Sequence, residues 1–137
     1  MKQIADDLLA AYLATTYRAW VDGAPIDIRI GANSPHLDRI LDGKVWAFLS
    51  ASNPGSVVSP HNESRKEALR RLLEHSGHSF FPALGIPDEP GWEAEESFLV
   101  AGISEAEAVE IGRRFGQNAI LAGCKGSPAR LLPCTKE

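Results

Sequence analysis

Arg65 is the residue whose position most constrains the chemistry open to this chain. On a helical wheel through the segment that follows Ser59-Pro60, Ala68, Leu69, Leu72 and Leu73 form the apolar stripe, and stepping back four from 69 or seven from 72 lands on Arg65. His61 lies near the same stripe and Asn62 at its margin. An inward guanidinium costs on the order of several kcal/mol in desolvation unless a carboxylate or a ligand meets it. In one reading, Arg65 forms a structural pair with Glu95 or Glu96. In the other, its planar fork and the positive start of the helix together hold an anion, a carboxylate or a phosphate. Glu95 and Glu96 are also the candidate acid-base groups. Neighbours in a strand face opposite ways, so at most one of them enters a shared site.

Few other residue types carry a specific signal. Asn53-Pro54-Gly55-Ser56 resembles an anion-cradling loop only in being small and glycine-containing; it lacks the lysine and glycine spacing of a phosphate-binding loop, and a plain turn explains it as well. Gln117 and Asn118 could meet a ligand or satisfy backbone groups at a strand start. His36, His61, His75 and His78 show no metal spacing, no serine sits in a G-x-S-x-G elbow, and no cofactor motif is present. Cys124 and Cys134 are read as free thiols of a cytoplasmic protein. Glu63, Lys66, Glu67, Arg70, Arg71 and Glu74 have mixed signs and form a solvated helix face.

The elements that must position these residues follow from periodicity. The spacing predicts an amphipathic helix over 3–17 and a strand at 26–30, where Ile26, Ile28 and Ile30 alternate with polar residues. Ser34-Pro35 opens a second helix, and Val45 to Leu49 is a central strand. A third helix ends near Ser76, strands follow at 78–84 and 94–101, and Ser104 with Glu107 caps a helix that ends at Phe115. A further strand is expected at 117–123, and Arg130 to Leu132 could form an edge strand. Gly85 to Glu93, with two glycines and two prolines, reads as a surface flap carrying Trp92.

The resulting expectation is an α/β (α+β) fold. It has a single mixed sheet of about five strands, mostly parallel with one antiparallel hairpin, and helices on its faces. At 137 residues the chain reads as a single domain, with a core over 1–123 and an extension over 124–137. The net charge of -4 supplies no field for nucleic-acid backbones, and no apolar run suits a membrane span.

The run Asn53-Pro54-Gly55-Ser56, then Asn62 and Arg65, then Trp92, Glu96-Ser97-Phe98 and Phe115-Gly116-Gln117-Asn118-Ala119 resembles an uncharacterised bacterial family, domain of unknown function 3293. The similarity spans roughly residues 10 to 122, with Ser50 where the family pattern has threonine. The resemblance implies the family's fold but supplies no activity, and it favours Glu96 over Glu95 as the acid-base candidate.

If the strands are parallel, Asn53 to Ser56, Asn62 with Arg65, Trp92 to Glu96, and Gln117 with Asn118 converge at one sheet edge, where open α/β sheets bind ligands. The leading expectation is a small-molecule binding domain for an anionic or polar ligand, with catalysis left open. Its site would be formed by Asn53, Ser56, Asn62, Arg65, Trp92, Gln117 and Asn118. The rival is a non-catalytic module that regulates or docks a protein partner, with Arg65 and Glu96 holding the fold.

Overall fold

The computed structural model describes residues 5–134. Among them four α-helices and seven strands follow one another as α1 (Asp6–Leu13), β1 (Thr15–Val21), β2 (Ala24–Ile28), α2 (Pro35–Ile40), β3 (Trp46–Ser50), α3 (Asn62–Ser76), β4 (Ser79–Pro87), β5 (Glu95–Ala101), α4 (Glu105–Arg114), β6 (Ala119–Gly123) and β7 (Arg130–Pro133).

The helix expected over 3–17 is cut short at Leu13, and the chain then becomes β1, with Tyr17, Ala19 and Val21 buried and the residues between them half-buried. A 3.6-period pattern that ran on to Thr16 concealed a period-2 segment rich in β-branched and aromatic residues. Ile4, which belonged to that expected helix, lies outside the described residues. Asp22 and Gly23, both with positive φ, turn β1 into β2 as a two-residue hairpin, with Val21 opposite Ala24.

The sheet order is β2-β1-β4-β5-β3-β6-β7, and all six pairings of named strands are antiparallel. This overturns the expected five-stranded, mostly parallel sheet. Helices do separate β3 from β4 and β5 from β6, and each such pair runs in one direction. Each crossover, however, skips a place: β5 lies between β3 and β4, and β3 lies between β5 and β6. The unit β3-α3-β4-β5-α4-β6 is therefore the double split β-α-β arrangement of ferredoxin-like domains, extended by the β1–β2 hairpin on one side and β7 on the other.

The sheet curls until its two edges touch at one corner. Ile30 bridges Ala129, the Gly31 N–H donates to the Ala129 carbonyl at 2.8 Å, and the Ala129 N–H donates to that of Ala32 at 3.1 Å. Its inner face buries Tyr17, Ile26, Ile28, Trp46, Phe48, Leu99 and Leu121, closed off by Leu37 and Leu41. On its outer face Leu49, Phe98, Val100 and Ile120 pack against Leu69 and Leu73 of α3 and Ala108 and Ile111 of α4. Truncating a side chain as completely buried as Leu73 to alanine costs about 2–5 kcal/mol. Ser104 caps α4 by accepting the Glu107 N–H at 3.1 Å, while the Glu107 carboxylate turns to His78 Nε2 at 3.0 Å rather than back to the cap. No described helix is long and apolar enough to cross a membrane.

Candidate functional site

Strand alternation decides which glutamate joins the polar residues. On β5, Leu99 and Ala101 face the inner core and Phe98 and Val100 the helices, so Glu95 and Ser97 fall on the inner side and Glu96 on the outer. Glu96 Oε2 there accepts Lys66 Nζ of α3 at 2.8 Å. On β3 the same alternation, from Trp46 and Phe48, brings Ser50 to the inner side beside Glu95. Asn53 Nδ2 donates to Glu95 Oε2 at 3.0 Å, and Ser50 Oγ to Oε1 at 3.5 Å. Among the described residues no lysine or arginine pairs with this half-buried carboxylate. Burial pushes its pKa above the usual carboxylate range, and the Asn53 and Ser50 hydrogen bonds offset part of that rise.

Two phenols line the same end. Tyr12 of α1 packs against the inner core, with its hydroxyl beside Ser56 and in the field of Glu95. Burial, and next the Glu95 charge, push its pKa up to about 12. Beneath it Tyr17 donates to the Tyr12 carbonyl at 3.3 Å, and its ring meets Phe48 edge-on at 5.2 Å between centroids. Burial raises the Tyr17 pKa as well. Both hydroxyls stay neutral near pH 7.

The loop between β3 and α3 is held by reciprocal amide bonds. Asn53 sits in the left-handed region at φ 49° and Ser56 at φ 63°, conformations that few non-glycine residues adopt. The Asn53 N–H donates to Asn62 Oδ1 at 2.9 Å, Asn62 Nδ2 returns to Asn53 Oδ1 at 2.8 Å, and the Ser59 N–H reaches the same oxygen at 3.1 Å. Asn118 Nδ2 donates to Ser56 Oγ at 2.8 Å, and Gln117 Nε2 to the Ser52 carbonyl at 2.9 Å. The Gly55 N–H donates to the Gly116 carbonyl at 2.7 Å; at Gly116, φ 70°, a Cβ would stand 2.9 Å from that of Pro54, so only glycine fits.

Arg65 pairs with neither Glu95 nor Glu96. Its Nε donates to the Ala51 carbonyl at 2.6 Å and its Nη2 to the Phe115 carbonyl, with the guanidinium carbon 6.0 Å from the Phe115 ring centre. It thereby ties the segment leaving β3 to the end of α4. The structure thus joins Asn53, Ser56, Asn62, Arg65, Gln117 and Asn118 in one region and adds Ser50, Glu95 and Tyr12. Trp92 stands outside it, 68% exposed and part of neither core. The expected flap is also shorter. Gly85 to Pro87 belong to β4, opposite Thr15 to Tyr17, and Asp88 is fixed by Arg29 Nη1 at 2.8 Å and through its own N–H to the Ala14 carbonyl at 2.9 Å.

A shallow groove of about 550 Å³ lies elsewhere, by β1, β2 and the start of α2, lined by Trp20, Pro25 and His36 among others. Its charged members, Arg18 and Asp27, bond each other at 2.6 Å. Among the described residues no group of three or more His, Cys, Asp or Glu could hold a metal ion.

Fold and site together define an antiparallel α+β domain of the double split β-α-β class with a polar network at one end of its sheet. Within that class the chain belongs to the family described as protein of unknown function DUF3293, whose model matches residues 49–120, more than half of the sequence. The match includes Ser50, Asn53, Ser56, Asn62, Arg65, Glu95, Gln117 and Asn118, while Tyr12 and Tyr17 precede it. No curated protein and no solved structure matches the chain.

Proposed function

We propose that this domain binds a small polar molecule at the Glu95 end of the sheet, with Asn53, Ser56, Asn118 and Tyr12 around it. The observation that carries this reading is Glu95 itself, a half-buried carboxylate met only by neutral donors among the described residues. Such a group is costly to keep where it is unless it serves a partner. Arg65, Asn62 and Gln117 support the site by fixing its loops rather than by meeting the ligand. The two free thiols suit a reducing, cytoplasmic setting.

The test is a metabolite panel followed by amide chemical shifts. A native-state ligand at about 100 times its Kd adds roughly 2.7 kcal/mol of stability. Its shifts should centre on residues 50–56, 95 and 118. Shifts centred instead on Trp20, Pro25 and His36 would move the binding site to the groove and end this reading.

A second reading, a non-catalytic module that docks a protein partner, draws on one observation. Val57, Val58 and Trp92 are 68%, 81% and 68% exposed on loops of this same end. Under it Val58→Ser and Trp92→Ser abolish the partner's binding and Glu95→Gln leaves it intact; the first reading expects Glu95→Gln to matter most.

A further inference from the structure

We infer that the molecule bound at this end is a small organic cation, an ammonium or guanidinium nitrogen carried on an apolar body. The inference rests on the binding reading above and goes beyond it by fixing the ligand's charge. An anion would need a free positive group, and among the described residues the cations around the site are committed. Arg65 donates to two backbone carbonyls. Arg29 donates to Asp88, Thr16 and the Leu13 carbonyl. Lys66 is held between Glu96 and Glu63.

The one charged-type group there without an ionic partner among the described residues has the opposite sign. The Glu95 carboxyl is met by one amide at 3.0 Å and one hydroxyl at 3.5 Å and by no cationic side chain among the described residues. Near it stand two further oxygens, the Tyr12 hydroxyl, which bonds Ser56 and the Ala119 backbone, and the Ser56 hydroxyl, which accepts from Asn118. An ammonium has three donors and no acceptor, so an acceptor-rich end with one carboxylate complements it. A bare metal ion does not fit, because Glu95 has no second or third carboxylate, thiolate or imidazole beside it among the described residues.

The rim supplies the preference for an organic body. Val57 and Val58 follow Ser56 directly in the chain and are largely exposed. Hydrocarbon on the ligand would cover part of that surface.

The experiment compares probes of matched shape on the full chain at pH 7.5 and low salt. They are benzylammonium and n-butylammonium, the neutral benzyl alcohol and n-butanol, and the anions benzoate, butyrate and inorganic phosphate. Thermal shifts are read for wild type, Glu95→Gln and Glu96→Gln. The two ammonium probes should raise the melting temperature of wild type and of Glu96→Gln. Glu95→Gln should weaken their binding at least about tenfold, the ratio that corresponds to about 1.4 kcal/mol.

If the neutral or anionic probes shift wild type instead and Glu95→Gln removes that shift, the site stands and its assigned charge is wrong. If ammonium shifts survive in Glu95→Gln, the cations bind other acids of this chain and the inference fails. A wild type that no ammonium probe moves overturns it as well. The metabolite panel with chemical shifts still judges the binding site separately.

Discussion

Asn53 Nδ2 donates to Glu95 Oε2 at 3.0 Å while Asn53 Oδ1 receives both the Ser59 N–H and Asn62 Nδ2. One side chain therefore joins the start of β5, the loop after β3 and the first turn of α3. It also sits at φ 49°, a conformation that asparagine tolerates better than most residues. Asn53→Ala should cost about 3–4 kcal/mol, from roughly 1 kcal/mol for each of the three lost bonds and up to 1 for the left-handed backbone. Asn53→Gly loses the same bonds but not the backbone term, so urea unfolding should find it the more stable of the two. The reverse order would show that the backbone is not strained there.

The Arg65 clamp predicts a pattern of coupling. Arg65→Ala should destabilise by about 2–3 kcal/mol through loss of charged donors to the Ala51 and Phe115 carbonyls. Arg65→Lys should recover little, since an ammonium cannot span both carbonyls as the planar fork does. In double-mutant cycles Arg65 and Glu96 should be additive. Lys66 and Glu96 should couple by about 0.2–1 kcal/mol, as expected of a largely exposed pair. An Arg65 to Glu96 coupling larger than that would contradict the geometry.

The sequence disclosed which segments meet but not how the strands pair. The wheel placed Arg65 inward, and the direction of successive strands brought Asn53, Asn62, Gln117 and Asn118 to one end. Strand direction alone leaves open whether a crossover lands on the neighbouring strand or skips one, and that choice separates a parallel sheet from the observed antiparallel one. A signal was present in Asp22-Gly23 between two alternating runs, the strongest short-range mark of a hairpin, yet the helical period of the preceding residues masked β1. Alternation assigns Glu95 and Glu96 to opposite faces without saying which is inner, and the preference for Glu96 came from the family resemblance alone. Which face is inner depended on α3 covering the side of Phe98 and Val100. Tyr12 reaches the site by packing against the inner core, a long-range contact that no local pattern encodes.

The two thiols should react very differently. Cys124 is exposed, whereas Cys134 has no exposed surface, and burial pushes its pKa up to about 11. The thiolate is the reactive form, so Cys134 is protected twice over. A disulfide-exchange reagent at pH 8 should titrate one group rapidly in the native protein and two after unfolding. Fast reaction of both in the native state would show that the segment around β7 opens readily.

The sharpest prediction concerns Glu95 and pH. Its folded-state pKa is raised, with burial as the largest cause. A raised carboxyl pKa means that the folded state holds the proton more tightly than the unfolded chain. The stability this contributes is fully present below the ordinary carboxylate range and is lost as pH rises through the folded value. Tyr12 and Tyr17, the two phenols at this end, have raised pKa values and stay neutral across that window, and Arg29 is paired with Asp88. Glu95→Gln removes the ionisation while keeping an oxygen to accept from Asn53. Without ligand, the variant should therefore melt at or above wild type at pH 8, and this advantage should vanish by pH 4. Melting curves over that range decide the point. A variant less stable than wild type at pH 8 and equal to it at pH 4 would mean that the ionised carboxylate is stabilised in the folded protein. The charged group would then already have its partner within the chain, leaving no unmet charge for a ligand to serve.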